Sequence, residues 1–224
     1  MSGLPADLIE RAVYRRGRLA VFDRIVARST ALLVIDMQNA WLASGAPFET
    51  PAARALVPAI NRLADALRRR GGAVIWVQHT TGRPGEPTYW AHYFENYVAA
   101  DKRVAAAEAL VPGHAHHALY AALDVRPEDG RMAKLRFSLF ARNPSDPEAA
   151  LRARGIDTVI VAGTATNMCC ESTVRDAMMR DFNTFMPFDA VAAPREDAHL
   201  AGLRSVMQGF ADVRGVDDII AIME

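Results

Sequence analysis

At 224 residues, 51% hydrophobic and 23% charged, the chain is long enough to bury one large core and too apolar for intrinsic disorder. Its 26 Lys and Arg residues balance 26 Asp and Glu, so it lacks the basic surplus that a nucleic-acid partner requires. No apolar run is long enough to cross a bilayer, no signal-peptide order opens the chain, and its only cysteines, Cys169 and Cys170, are adjacent, which argues against a disulfide framework and for a reducing, cytoplasmic setting.

Residues 5–25 read as a helical N-terminal arm, within a leading segment of about residues 1–28, and are expected to pack on a neighbouring subunit. The first core strand spans 31–36 and ends abruptly in Asp36, with polar Gln38 and Asn39 behind it. A carboxylate there points to where open parallel sheets bind ligands, although Asp after a strand also serves to cap a turn. A helix follows at about 52–70, with Leu56, Ile60, Leu63 and Leu67 on one face and Gly71 and Gly72 as its stop. AVIWVQH, 73–79, is the second strand.

Residues 80–130 break the alternation of strand and helix, and a stretch this long inside a compact domain has a function of its own or is disordered. Tyr89, Trp90, Tyr93, Phe94 and Tyr97 argue against disorder. They fit either a subsidiary core or a lid or subunit contact that covers a site.

MAKLRFSLF, 132–140, reads as a partly buried strand carrying Lys134, whose ammonium needs a carboxylate partner; Asp36 is the candidate. DPEAALRARG, 146–155, is a helix and 157–163 a buried strand. Small residues then lead to Cys169 at the start of a helix, where the terminus favours thiolate, the nucleophilic form. Cys170 reads as a plain buried residue. A strand in TFMPFDAVAA, a helix in EDAHLAGLRSVMQGF, a short strand in ADVRG and the closing VDDIIAIM complete the chain. This alternation predicts one α/β domain over 1–224, in three αβα layers with a central, mostly parallel six-stranded sheet.

Metal binding finds little support. His114, His116 and His117 lack the i, i+4 spacing of a zincin helix and read as a surface loop. No dinucleotide fingerprint, Walker loop or GxSxG elbow is present, so neither metal nor cofactor is expected.

Asp36 in VIDMQNAW, Lys134 in KLRFSLF and Cys169 in GTATNMCCESTVRDA, in this chain order, resemble the catalytic triad of the isochorismatase-like cysteine hydrolases. The similarity runs from about residue 30 to the C-terminus and is greatest toward the ureidoacrylate and N-carbamoylsarcosine amidohydrolase branches. Trp41 and Phe137 stand where tyrosines are expected in the ureidoacrylate branch, and His79 where an asparagine is expected. The histidine cluster of the related metal-dependent nicotinamidases is missing after the second strand, where only His79 stands.

The resemblance implies a cysteine hydrolase that cleaves a C–N amide or ureido bond of a small molecule through a thioester. Asp36 would be general base, Lys134 the stabilising cation and Cys169 the nucleophile, with the backbone N–H groups of Ala165 and Cys169 as oxyanion hole beside a cis Thr164–Ala165 peptide. Gln38, Trp41, His79, Arg136, Phe137 and Asn167 are the candidate substrate contacts. The alternatives are a vinyl-ether hydrolase, which does not need the cysteine, and an inactive scaffold subunit. A homodimer or homotetramer is expected, from family resemblance and from the apolar surface of the arm and the 80–130 segment.

Overall fold

A computed structural model describes residues 4–224. Seven strands form its sheet: β1 (Thr30–Ile35), β2 (Ala73–His79), β3 (Gly130–Lys134), β4 (Thr158–Thr164), β5 (Asn183–Pro187), β6 (Val191–Ala192) and β7 (Asp212–Arg214). Six run in the order β3-β2-β1-β4-β5-β7 and the two-residue β6 pairs with the end of β4, every pair being parallel.

A parallel sheet is covered on both faces, which is why β1 and β4 read as unbroken apolar runs. The pleat sorts them. Leu32 and Val34 of β1 enter one core, and Ala31, Leu33 and Ile35 enter the other. The first core is closed by α3 (Val57–Arg68), through Ile60, Leu63 and Leu67, and by α9 (Val216–Ala221). The second is closed by α6 (Pro147–Ala153), α7 (Glu171–Met178) and α8 (Glu196–Val206). Each fully buried Leu or Ile contributes about 1.5–3 kcal/mol to holding the three layers together.

The N-terminal arm packs onto its own chain. Its helix, α1 (Ala6–Arg16), buries Leu8 and Ala12 in the core that contains Leu203, Val206 and Met207, and Asp7 pairs with Arg204 at 2.6 Å. The N–H groups of Val21 and Phe22 then donate to Asp212 Oδ2 at 2.8 and 2.9 Å. These donors engage one oxygen of a buried carboxylate at the edge strand, an intrachain attachment that periodicity alone could not reveal.

The 80–130 segment contains α4 (Ala91–Tyr97) and α5 (Ala100–Glu108), while α2 (Asn39–Leu42) is a single turn after β1. Phe94 is fully buried, with Tyr89 stacked on it at 5.4 Å. Trp90 and Tyr93 are partly buried against the same core, as a subsidiary core requires.

Gly163 sets the geometry beneath the site. Its φ is +112°, and a Cβ there would lie 2.1 Å from the carbonyl oxygen of Ile35. Only glycine lets β4 approach the end of β1 this closely. Asp36 immediately follows with φ +52°, a left-handed conformation that Asp tolerates, and donates its N–H to Val77 O at 2.9 Å.

Candidate active site

Three side chains converge at the carboxyl ends of the strands. Asp36 follows β1, Lys134 is the last residue of β3, and Cys169 lies in a π-helical turn, Thr166–Cys170, between β4 and α7. Register brings Lys134 opposite His79 on β2, from where its long chain reaches across to Asp36. Its Nζ stands 2.9 Å from Asp36 Oδ2 and donates to Cys169 Sγ at 3.4 Å and to the carbonyl of Arg136 at 3.1 Å. Asp36 and Lys134 have no exposed side-chain surface, and Cys169 is buried.

Burial dominates the electrostatics. It raises the Asp36 carboxyl above its ordinary range in spite of Lys134, and it raises the Cys169 thiol strongly, with the charge of Asp36 adding to the effect. Cys169 sits in a π-helical turn that runs directly into α7, as a helix start should, while burial and the charge of Asp36 push its thiol up, against the thiolate preference of such a terminus. Burial alone would lower the Lys134 ammonium, but Asp36 and Cys169 more than offset this and hold it protonated. His79 is lowered well below its usual range by burial and by the charges of Lys134 and Arg136, so its imidazole is neutral.

A cavity of about 60 Å³ opens over Cys169, lined by Trp41, Phe48, His79, Tyr93, Leu110, Phe137, Ala165 and Met168. Trp41, His79 and Phe137 are thus brought together as the sequence suggested. Trp41 stacks on Phe48 at 5.3 Å and on His79 at 6.1 Å. His79 Nδ1 is buried without a partner, a polar group available to a ligand.

Three other candidates lie off this wall. The amide of Gln38 is consumed internally, since it donates to the carbonyls of His79 and His117 and accepts the His79 N–H at 2.7 Å. It clamps the backbone that carries His79 and leaves no free donor for substrate. Asn167 packs its backbone against Gly202 of α8 and is not among the cavity-lining residues. Arg136 stands with its guanidinium 4.8 Å from the centroid of Trp90, outside the chamber. The Thr164–Ala165 peptide is cis, and among the described residues the Ala165 N–H makes no main-chain hydrogen bond.

Tyr93, Phe48, Leu110 and Met168 went unrecognised as wall residues. Only Tyr93 carried a signal, its place in the aromatic run of the 80–130 segment. Its hydroxyl is raised by burial and by Cys169, which places it near the thiol. Larger hollows lie elsewhere, one of about 490 Å³ bounded by Arg15, Phe22, Asn183 and Asp212 at the opposite ends of the strands. Size alone does not mark the chemistry.

Asp36, His79 and Cys169 hold donor atoms within 4.8 Å of one another, a set that could ligate a cation. The Lys134 ammonium already supplies positive charge to two of the three, so a divalent ion would have to enter against it. This disfavours the metal reading on charge.

Residues 30–218 match the Isochorismatase domain family. Ureidoacrylate amidohydrolase RutB from Methylobacterium radiotolerans is 33% identical over 203 residues, covering 84% of this chain and 77% of that protein. A cysteine hydrolase from Pseudomonas syringae pv. phaseolicola 1448A superposes with a TM-score of 0.78 at 26% identity, over 91% of this chain and 95% of the other. N-carbamoylsarcosine amidase from Thermoplasma acidophilum gives 0.67 at 25% identity, over 84% and 97%. On this similarity of sequence and fold, the chain belongs to the isochorismatase-like hydrolase family.

Proposed function

We propose that this protein is a cysteine-dependent amidohydrolase that cleaves a C–N amide or ureido bond of a small molecule through a thioester. The observation that carries the reading is the Lys134 ammonium held between Asp36 and Cys169 Sγ, at 2.9 and 3.4 Å, beneath a cavity that Cys169 itself lines. A thiol beside a carboxylate has a base, and the shared cation stabilises the charge that proton transfer creates.

In this mechanism Asp36 takes the thiol proton as the substrate carbonyl arrives, and the sulfur forms a bond to the carbonyl carbon. The oxyanion is received by the N–H groups of Ala165 and Cys169. Protonated Asp36 then gives its proton to the departing nitrogen as the C–N bond breaks. Water, deprotonated by Asp36, attacks the thioester and releases the acid and the thiol. The raised Asp36 carboxyl suits a group that must both accept and return a proton near neutrality. His79, Trp41 and Phe137 would orient the substrate, and Arg136 would bind an anionic group at its outer end. Vinyl-ether cleavage and a scaffold role gain no comparable support, since neither requires a thiol held against an ammonium.

Ammonia release measured across ureido acids, carbamoyl amino acids and simple amides tests the proposal, with rapid acid quench and mass spectrometry of the Cys169 peptide. Turnover accompanied by an acyl adduct on Cys169 is the expected result. Turnover with no adduct, and with full activity after Cys169 is alkylated, overturns it.

A further inference from the structure

The chamber over Cys169 is too small for most of a substrate. An apolar cavity of about 150 Å³ holds one benzene, and this one is about 60 Å³. It accommodates the scissile amide and an atom or two beyond it. Whatever else the substrate carries must leave the chamber, and the surrounding surface defines where it goes.

Three walls of the chamber, Tyr93, Phe137 and Met168, are also walls of a second hollow of about 480 Å³, which is completed by Trp90, His92 and Tyr97. That volume is in the range of small-molecule sites. The lining is chiefly aromatic and offers flat faces. Trp90 and Tyr93 lie 4.9 Å apart, Tyr93 and Tyr97 are nearly coplanar in orientation at 6.3 Å, and Phe137 stands edge-on to both Trp90 and Tyr93. Tyr97 is 72% exposed, an unusual cost for a large side chain with no core to fill. Arg136 adds a cation against the outer ring of Trp90, and no described ion pair engages it.

We infer that this hollow is a second subsite of the same active centre and that it holds a planar aromatic or heteroaromatic group attached to the scissile amide. The inference rests on the amidohydrolase reading and narrows it, from compact ureido acids to amides or ureido compounds that carry a ring. The ring lies against the aromatic faces that Tyr93, Tyr97 and Phe137 present to the hollow, and the chamber takes the short linkage to the carbonyl. Continuity through three shared walls identifies the occupant as part of the substrate, since a protein partner seated there would close the route to Cys169.

The test is binding to Cys169→Ala protein, which needs no turnover. Calorimetry with 3-phenylpropanamide and with propanamide should show the phenyl compound binding on the order of tenfold tighter, from the apolar area its ring removes from water. Tyr97→Ala in the same background should lower that preference by about fivefold, the usual contribution of one aromatic pair. Equal affinity for the two amides, or an unchanged preference after Tyr97→Ala, overturns the subsite. A Tyr97→Ala protein that changes its oligomeric state in light scattering without changing the preference also overturns it, in favour of a second copy on this face. The two proposals fail separately. Ring-selective binding with no ammonia release from any amide by the unmodified enzyme removes the function and keeps the subsite, whereas turnover of short amides without ring selectivity does the reverse.

Discussion

Replacing Lys134 with methionine removes the ammonium and keeps nearly the whole length of the side chain. The pair it breaks is fully buried, with Nζ and Oδ2 at 2.9 Å. At that distance and an effective dielectric of about 20 the attraction is about 6 kcal/mol, and removal of one partner from buried pairs costs about 3–5 kcal/mol because the other charge is left unpaired. Asp36 is already raised by burial, and without its cation it rises further. A carboxyl whose folded pKa is raised holds its proton more tightly folded than unfolded. Its contribution to stability is present below the unfolded value, near 3.8, and is lost as pH rises through the folded value. Lys134→Met should therefore be close to wild type in urea unfolding at about pH 4 and about 3–5 kcal/mol less stable at about pH 7.5. Adding Asp36→Asn should recover much of the loss at the higher pH, since no unpaired charge remains. The kcat of Lys134→Met should fall on the order of a hundredfold to a thousandfold, the scale of losing one preorganised charge. A stability loss equal at both pH values, or no recovery in the double variant, refutes the reasoning that Asp36 is left as a stranded charge.

Cys169→Ser should eliminate nearly all turnover while leaving the circular dichroism unchanged, whereas Cys170→Ser, altering a sulfur packed in the core 4.0 Å from Ala162 O, should retain most of it; equal losses would reassign the nucleophile. The acid limb of kcat/KM should report Asp36 and lie above the ordinary carboxylate range, and no basic limb below about pH 10 should come from Lys134, because both groups are raised; an acid limb near 3.8 contradicts the burial argument. Arg136→Ala should raise KM for an anionic amide more than for a neutral one of the same shape, since only the former loses a charge-assisted contact, and equal effects would make Arg136 a packing residue against Trp90. We propose a homodimer or homotetramer on the strength of exposed Tyr14 and Val104, away from the Tyr97 hollow, and light scattering that finds only monomer at micromolar concentration removes that proposal.

Much of the fold was legible because each core strand announces itself locally. The strand over 73–79 has the boundaries of β2, and the runs that became β1 and β4 are apolar on both faces of the pleat, as a covered parallel sheet demands. Lys134 and Asp36 were paired from the sequence by a simple cost, since a buried ammonium requires a carboxylate and few were available near strand ends. The pocket was read less well. Gln38 looks like a ligand in the chain because its polarity is visible, and the two carbonyls that consume it, from His79 and His117, lie 41 and 79 residues away.

The sequence by itself determined the sheet and the chain order of Asp36, Lys134 and Cys169, since these depend on local periodicity and residue chemistry. The surroundings of the thiol were decided only in three dimensions. A helix start favours thiolate, whereas burial and the charge of Asp36 push the Cys169 thiol up, and both of these come from residues distant in the chain. Tertiary structure also divided the aromatics of the 80–130 segment, sending Phe94 inward and Tyr93 to the cavity, and turned the N-terminal arm back onto Asp212 and α8. Those outcomes depend on which distant surfaces meet, a long-range relation that the spacing of residues along one segment does not encode.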